Sequence, residues 1–444
     1  MSTKKSISTS IPAERALLIG VEIRGEEGLL SLEDSLAELA LLAETAGVEA
    51  VGQVEQRLNK PKPKTMIGLG KVEEIISLIE ELGADMILFD DELSPRHQRE
   101  LEKLFGEKVR VLDRTALILD IFAQHASTHE GSLQVELAQY EYLMPRLTKA
   151  WTHLARQAGG GGGRSGSGGV GLRGPGEKQL EVDRREIGRR IDHLKNEIEK
   201  VRAHRGRHRA KRRKARLPVI ALVGYTNAGK STLLNRLTDS DVYAADQLFA
   251  TLDPTTRRVE LPGGTVVLFS DTVGFIQKLP TTLVVAFQAT LEEISEADLI
   301  LHVIDITHPN VHAQAEAVLN TLEDIGADHI PLLSVLNKVD NLSDPRAAAE
   351  VLEDFDGAVA ISALKNKGID ELLSAIYQKM YASYMPISVL LPFNEGALIA
   401  LFHEQGRVDI LEHTRKGVKI NGRVPGRLFA RYKPFEFTEE LEIF

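Results

Sequence analysis

Eight residues, GYTNAGKS from Gly224 to Ser231, have the spacing of a loop that wraps phosphate. They follow the apolar run Val219–Val223 and open the helical Thr232–Leu237, the strand–loop–helix context this motif needs. In that context the backbone N–H groups of Tyr225, Thr226, Asn227, Ala228 and Gly229 face the phosphates, and the helix N-terminus adds its dipole. Lys230 is placed to neutralise the β and γ phosphates. Ser231 brings a hydroxyl to magnesium, with Thr232 beside it.

One such loop can arise by chance; several partner motifs in order cannot. DTVG, Asp271 to Gly274, begins forty residues past Ser231 at the end of the apolar run Thr265–Ser270. Asp271 can hold magnesium through water, Thr272 and Val273 lie between, and the Gly274 N–H can sense a γ phosphate. FATLD, Phe249, Ala250, Thr251, Leu252 and Asp253, lies between these motifs and offers Thr251 as a second hydroxyl for magnesium, with Thr255 and Thr256 as competitors. NKVD, Asn337, Lys338, Val339 and Asp340, follows a strand ending at Leu336. A carboxylate at Asp340 accepts from guanine N1–H and the 2-amino group, and adenine offers neither. Unpaired against adenine, it costs roughly 10³-fold in affinity. Ser362, Ala363 and Leu364 follow another strand and put the Ala363 N–H near guanine O6. The expected ligands are GTP, GDP and Mg2+, with Lys230, Thr251 and Gly274 as the catalytic set.

Hydrolysis needs an in-line water held near the γ phosphate. Ras-like proteins place a glutamine just after the DxxG motif, and Phe275 stands there instead, unable to orient water. The expectation is slow turnover alone, with help from elsewhere. Asn227 is similar to the loop asparagine of GTPases that recruit K+, which makes potassium a candidate cofactor; an ordinary loop residue is the competing reading. The pairs His125/His129 and His204/His208 have i, i+4 spacing but lack a third ligand, so no metal site is expected there.

The elements that must position these residues recur along the chain. At 444 residues it is too long for one core, and roughly 150 residues per domain gives about three domains. The expected fold is α/β: an N-terminal βαβ domain over 1–131, an antiparallel helical hairpin over 132–216, a P-loop domain over 217–384 and a small α+β module over 385–444. In the first, Ala16–Ile23, Val48–Val54, Met86–Phe89 and Val109–Leu112 read as strands. Leu32–Ala46, Val72–Leu82 and Pro95–Phe105 have helical spacing between them, and GLGK at Gly68–Lys71 is a helix start. In the second, Leu133, Leu137, Tyr140, Met144, Leu147, Trp151 and Leu154 keep heptad spacing, as do Ile187, Ile191, Leu194, Ile198 and Val201. A first helix over Ser132–Gln157 would be about 39 Å long, kinked at Pro145. The tip, Gly159–Gly176, has 11 glycines in 18 residues. Such a loop orders only against another surface.

The net charge of -10 conceals an asymmetry. Residues 173–216 carry 17 Lys/Arg against 7 Asp/Glu, while 217–444 carry 18 against 31. The run Ala203–Arg216, AHRGRHRAKRRKAR, therefore points to phosphates of a nucleic acid, without aromatics to stack bases; a solvated charged face or tether is the competing reading. No cysteine is present, so disulfides and thiolate sites are excluded. Met1–Ser10 is polar, and no run reaches the roughly 18 apolar residues of a membrane helix. The expectation is a soluble, cytoplasmic monomer, with loose membrane association as the alternative location.

Taken together, ILDIFAQHA (Ile118–Ala126), the heptad hairpin, the glycine tip running into GPGEKQLEVDRR (Gly174–Arg185) and FATLDPTTR (Phe249–Arg257) resemble the HflX GTPases. The resemblance extends through about residue 380. It implies a ribosome-associated GTPase that binds the large ribosomal subunit and splits stalled ribosomes, its hairpin tip reaching ribosomal RNA near the peptidyl-transferase centre. A GTPase of ribosome assembly and a signalling GTPase with a protein partner are the alternatives.

Overall fold

The computed structural model describes residues 13–25, 28–147, 175–215, 217–238, 248–249, 255–262, 264–278, 288–342, 353–381 and 384–437. Statements below concern these residues.

The first sheet is built from β1 (Glu14–Ile23), β2 (Val48–Leu58), β3 (Met86–Phe89) and β4 (Arg110–Asp113), in the order β2-β1-β3-β4. Every pairing is parallel, and β1 and β3 read as unbroken apolar runs because helices cover both faces. On one face α2 (Leu69–Leu82) and α3 (Pro95–Phe105) pack Ile75, Ile79 and Leu101 against Leu17, Ile19 and Phe89. On the other, α1 (Leu32–Thr45) and α4 (Arg114–His125) bring Leu36, Leu39, Ile118 and Phe122 to Leu18 and Leu88. Helix starts are chemically marked: the Ser31 and Ser94 hydroxyls accept from the amides of Asp34 and His97. Gly68 caps α2, as GLGK led us to expect.

The first hairpin helix breaks earlier than expected. α5 runs His129–Leu143 and gives way to a 3-10 turn, Met144–Arg146. Pro145 ends the helix rather than kinking it, and Arg146 turns inward. Its guanidinium donates to the carbonyls of Tyr142 (3.0 Å) and Leu93 (2.7 Å) and lies over the Tyr142 ring. The heptad residues Trp151 and Leu154 and the tip through Gly174 fall outside the described residues. α6 (Pro175–Ala215) has 41 residues, about 60 Å of helix. Its Ile187, Ile191, Leu194 and Ile198 are buried against Leu133 and Leu137 of α5. The two helices are antiparallel, with Arg190 donating from Nε and Nη2 to Glu136 and Met144 packed over Gly188.

The second sheet has the order β10-β9-β8-β5-β7-β6. β5 (Val219–Val223), β7 (Thr265–Asp271), β8 (Leu299–Asp305), β9 (Leu332–Asn337) and β10 (Val359–Ala360) are parallel, and β6 (Thr255–Leu261) is antiparallel to β7. The third sheet, β11-β13-β12, is antiparallel (Tyr384–Leu391, Gly417–Pro425 and Arg407–Thr414) and closes its own core with Phe402 and Tyr432. No described helix is long and apolar enough to cross a membrane.

Candidate nucleotide site

The parallel strands of the second sheet all end on one edge, and the sequence motifs lie in the loops that leave it. β5 delivers Gly224 to Gly229, and the helix Lys230–Thr238 starts directly behind them. Two glycines are dictated by close approach. A Cβ on Gly229, whose φ is +92°, would meet Asn337 Nδ2 at 2.3 Å; a Cβ on Gly274 would meet Thr226 Cγ2 at 2.8 Å and Lys230 Nζ at 3.2 Å.

Lys230 is buried and donates to the carbonyls of Gly224 (3.0 Å) and Tyr225 (2.8 Å), which aim its ammonium into the loop. Burial pulls its pKa down to about 8, against the opposing pull of Asp271. His302, on β8 behind the loop, is pushed down to about 4 by burial and then by Lys230, so it stays neutral. A pH effect follows. Phosphate binding favours the ammonium form, so the lysine pKa in the complex lies above about 8. Between the γ phosphate's own ionisation at about pH 6 and about pH 8, affinity for GTP is flat; above about 8, binding must take up a proton. Titration with a fluorescent GTP analogue is expected to show affinity falling as pH rises above 8, up to about tenfold per unit.

Ser231 Oγ donates to Asp271 Oδ2 at 2.7 Å, and Asp271 is fully buried. A hydroxyl and a carboxylate side by side are hard oxygen donors that suit magnesium, which bound here would neutralise phosphate charge. Thr272 faces the other way and donates to the carbonyl of Leu222 at 2.6 Å. The DTVG segment is zipped to the phosphate loop: Thr226 N–H donates to the Phe275 carbonyl (2.8 Å) and Phe275 N–H to that of Gly224 (3.0 Å). Phe275 and Val273 are buried. The Thr226 hydroxyl is buried without a partner in this loop. Asn227 is exposed at the loop apex with φ +60°, a left-handed conformation that asparagine tolerates. That backbone demand accounts for the residue by itself.

Asn337 is buried and joins three segments. Its Nδ2 donates to the Ala228 carbonyl (2.9 Å), and its Oδ1 accepts from Ala363 N–H (3.0 Å). Lys338 is held at φ +67° with its ammonium 2.8 Å from Asp305. Val339 and the part-exposed Asp340 sit in the following 3-10 turn, and no described residue takes up the Asp340 carboxylate. Ser362 is buried and accepts from Lys365 N–H, while Leu364 is exposed at the rim. Arg236, which no motif flagged, donates to the carbonyls of Ala363 (3.1 Å) and Leu364 (3.0 Å) and fixes this segment. Of the FATLD residues, Phe249 is buried, its ring 4.7 Å from that of Phe122 and edge-on. Ala250, Thr251, Leu252 and Asp253 fall outside the described residues. Thr255 and Thr256 are committed to β6, opposite Asp271 and Ser270.

A second network, unannounced by any motif, couples this site to the first sheet. Arg114 is buried with its guanidinium on Asp90 and Glu38. Burial alone would raise the Asp90 pKa, but Arg114 and Lys278 beside it hold the carboxyl below its ordinary range. Lys278, four residues past Gly274, also reaches Asp91 at 2.6 Å. The Tyr225 phenol donates to Glu38 and accepts from Gln277 N–H at 2.9 Å; the Gln277 amide donates to Ser35 Oγ at 2.8 Å. The apolar cluster around Leu36 and Phe122 continues into Tyr225, Phe249, Phe275 and Ile276.

A phosphate loop, a DxxG segment zipped to it and an NKxD turn at one edge of a mixed six-stranded sheet define a P-loop GTPase. Family models described as "GTP-binding GTPase N-terminal", "GTP-binding GTPase Middle Region" and "50S ribosome-binding GTPase" match residues 33–123, 125–212 and 219–338. The chain is 44% identical over 411 residues to GTPase HflX of Alkalihalophilus pseudofirmus, covering 92% of this chain and 93% of that one. It is 45% identical over 393 residues to GTPase HflX of Escherichia coli, covering 88% of each. Among solved structures, a GTP-binding protein from Sulfolobus solfataricus in complex with GDP is 24% identical, with a TM-score of 0.41, covering 83% of this chain and 99% of that one. The chain belongs to the HflX GTPase family, and its activity is the hydrolysis of GTP.

Proposed function

We propose that this GTPase acts on the large ribosomal subunit and splits stalled ribosomes, using the helical arm to contact ribosomal RNA. The observation that carries the reading is the arm: a 41-residue helix, Pro175–Ala215, in a segment with a net charge of +10 on an otherwise acidic chain. The match of residues 219–338 to a "50S ribosome-binding GTPase" model supports the same partner. In this reading Gly224 to Thr232 hold the phosphates and Ser231 and Thr251 bind magnesium. Asp271 acts on that ion through water, and Gly274 reads the γ phosphate. Asp340 and Ala363 read the guanine, with Asn337 and Lys338 shaping their turn. The placement of Thr255 and Thr256 in β6 favours Thr251 as the second hydroxyl.

The test is sedimentation of purified intact ribosomes with the protein and a GTP analogue. Release of free subunits supports splitting. Salt-sensitive binding to the large subunit without release favours an assembly role, and absence of ribosome binding favours a protein partner. Potassium enters only through Asn227; turnover compared in potassium and sodium buffers tests it, and equal rates would remove the ion from the account.

A further inference from the structure

The first sheet carries a feature that the nucleotide chemistry does not use. Residues 56–72 hold five cations, Arg57, Lys60, Lys62, Lys64 and Lys71, and no acid, whereas residues 13–131 as a whole carry 13 Lys/Arg against 24 Asp/Glu. The fold concentrates that charge. β1 and β2 stay paired to Ile23 and Leu58, four residues past the point where Ile19 lies opposite Phe89 at the end of β3. The β1–β2 pair thus projects about 13 Å beyond its neighbour, at the edge where open parallel sheets bind ligands.

At this tip Arg24, Arg57, Lys60 and Lys62 line an open cleft of about 450 Å³. All four are exposed. Arg57 is paired with Glu22 at 2.7 Å, and among the described residues Arg24, Lys60 and Lys62 make no ion pair. Glu26 and Glu27 lie outside the described residues. The loop is held in place. Arg24 N–H donates to the Leu58 carbonyl at 2.8 Å, and Lys62 and Met66 exchange backbone hydrogen bonds of 3.0 and 2.9 Å. Met66 and Ile67 are buried as anchors, Gly68 N–H is tied to Gln56 Oε1 at 3.0 Å, and Pro61 and Pro63 reduce the freedom lost on ordering. Cations on a preordered loop, set around a concave surface, with only Arg57 ion-paired among the described residues, fit a phosphodiester backbone. Aromatic side chains are absent from residues 56–72, so base stacking has no platform there.

We propose that this tip is a second RNA contact, binding backbone phosphates of the same ribosomal RNA partner through Arg24, Lys60 and Lys62; the inference rests on the ribosome reading above. Asp90, which anchors Lys278 just past the DTVG segment, follows β3 on the same edge of the sheet. RNA held at the tip therefore grips the sheet whose Asp90 is bonded to Lys278 of the nucleotide-binding domain.

Two readouts test the proposal in the full-length chain. In the first, the variant Arg24→Ala/Lys60→Ala/Lys62→Ala is compared with the unaltered protein for binding to purified large subunits across a salt series. The expected result is affinity weakened roughly tenfold or more, with the slope of log K against log salt shallower by about 2–3. In the second, Lys62→Cys provides a unique thiol in a cysteine-free chain for an iron chelate that cleaves nearby RNA. Localised cuts in ribosomal RNA are expected. Unchanged affinity and slope together with no cuts, in a protein that still binds the subunit, overturn the tip contact and leave the ribosome reading intact. Radical cleavage confined to a ribosomal protein also overturns it. An unaltered chain that binds neither large subunits nor free ribosomal RNA overturns both.

Discussion

With Asp340 replaced by asparagine, affinity for GTP is expected to fall about 10³-fold, and xanthine nucleotides should gain on guanine ones. Guanine presents two donors, N1–H and the 2-amino group, and a carboxylate accepts both. An asparagine amide meets them with one acceptor and one donor, so a clash of donors replaces a charge-assisted bond. Xanthine carries a carbonyl in place of the amino group and suits the amide. The turn itself should survive, because its shape is fixed by Asn337, bonded to Ala228 and Ala363, and by Lys338 on Asp305. Calorimetric titration of both nucleotides, with an unchanged melting temperature, checks this. Equal loss of the two would place base recognition elsewhere.

The Arg114→Ala variant is expected to lose about 3–5 kcal/mol of stability, because it strips Glu38 of its buried counter-charge and leaves Asp90 with Lys278 alone. Asp90 is fully buried, so water cannot replace the guanidinium. The linkage has a sign. The Asp90 pKa is depressed in the folded state, so its pairing stabilises the fold above the unfolded carboxylate pKa. That contribution is lost as pH falls through the depressed value. Urea unfolding of both proteins at neutral and acidic pH should show the gap narrowing in acid. The damage should also reach the nucleotide site, since Lys278 and Tyr225 are anchored to this cluster.

How far the sequence carries can be judged from particular residues. The strands Met86–Phe89 and Val219–Val223 and the helix Pro95–Phe105 match their expected limits, because each is bounded by turn or cap chemistry that acts within a few residues. The nucleotide motifs are legible for the same reason: each is a short segment at a strand end. Helix α4 escaped notice. Of its residues Leu117, Ile118, Leu119, Ile121 and Phe122 are all buried, so no polar face marks a helical period. The heptad pattern persists past Pro145, yet the described helix ends at Leu143. The chain instead turns where Arg146 finds the carbonyls of Leu93 and Tyr142. The Arg114 network was invisible because its partners are distant along the chain: Arg114 and Glu38 are 76 residues apart, and Tyr225 and Glu38 are 187 apart. Single positions announce buried charge poorly when the compensating charge lies on another element.

Under the proposed function, this GTPase waits for the ribosome. Phe275 fills the place of a water-orienting glutamine and is buried against the phosphate loop, so the site does not use it to align the attacking water. The most direct measurement is the steady-state rate of GTP hydrolysis with and without purified large ribosomal subunits. The expected result is at least about a tenfold rise in turnover. A fast rate for the isolated chain that the subunits leave unchanged would contradict it.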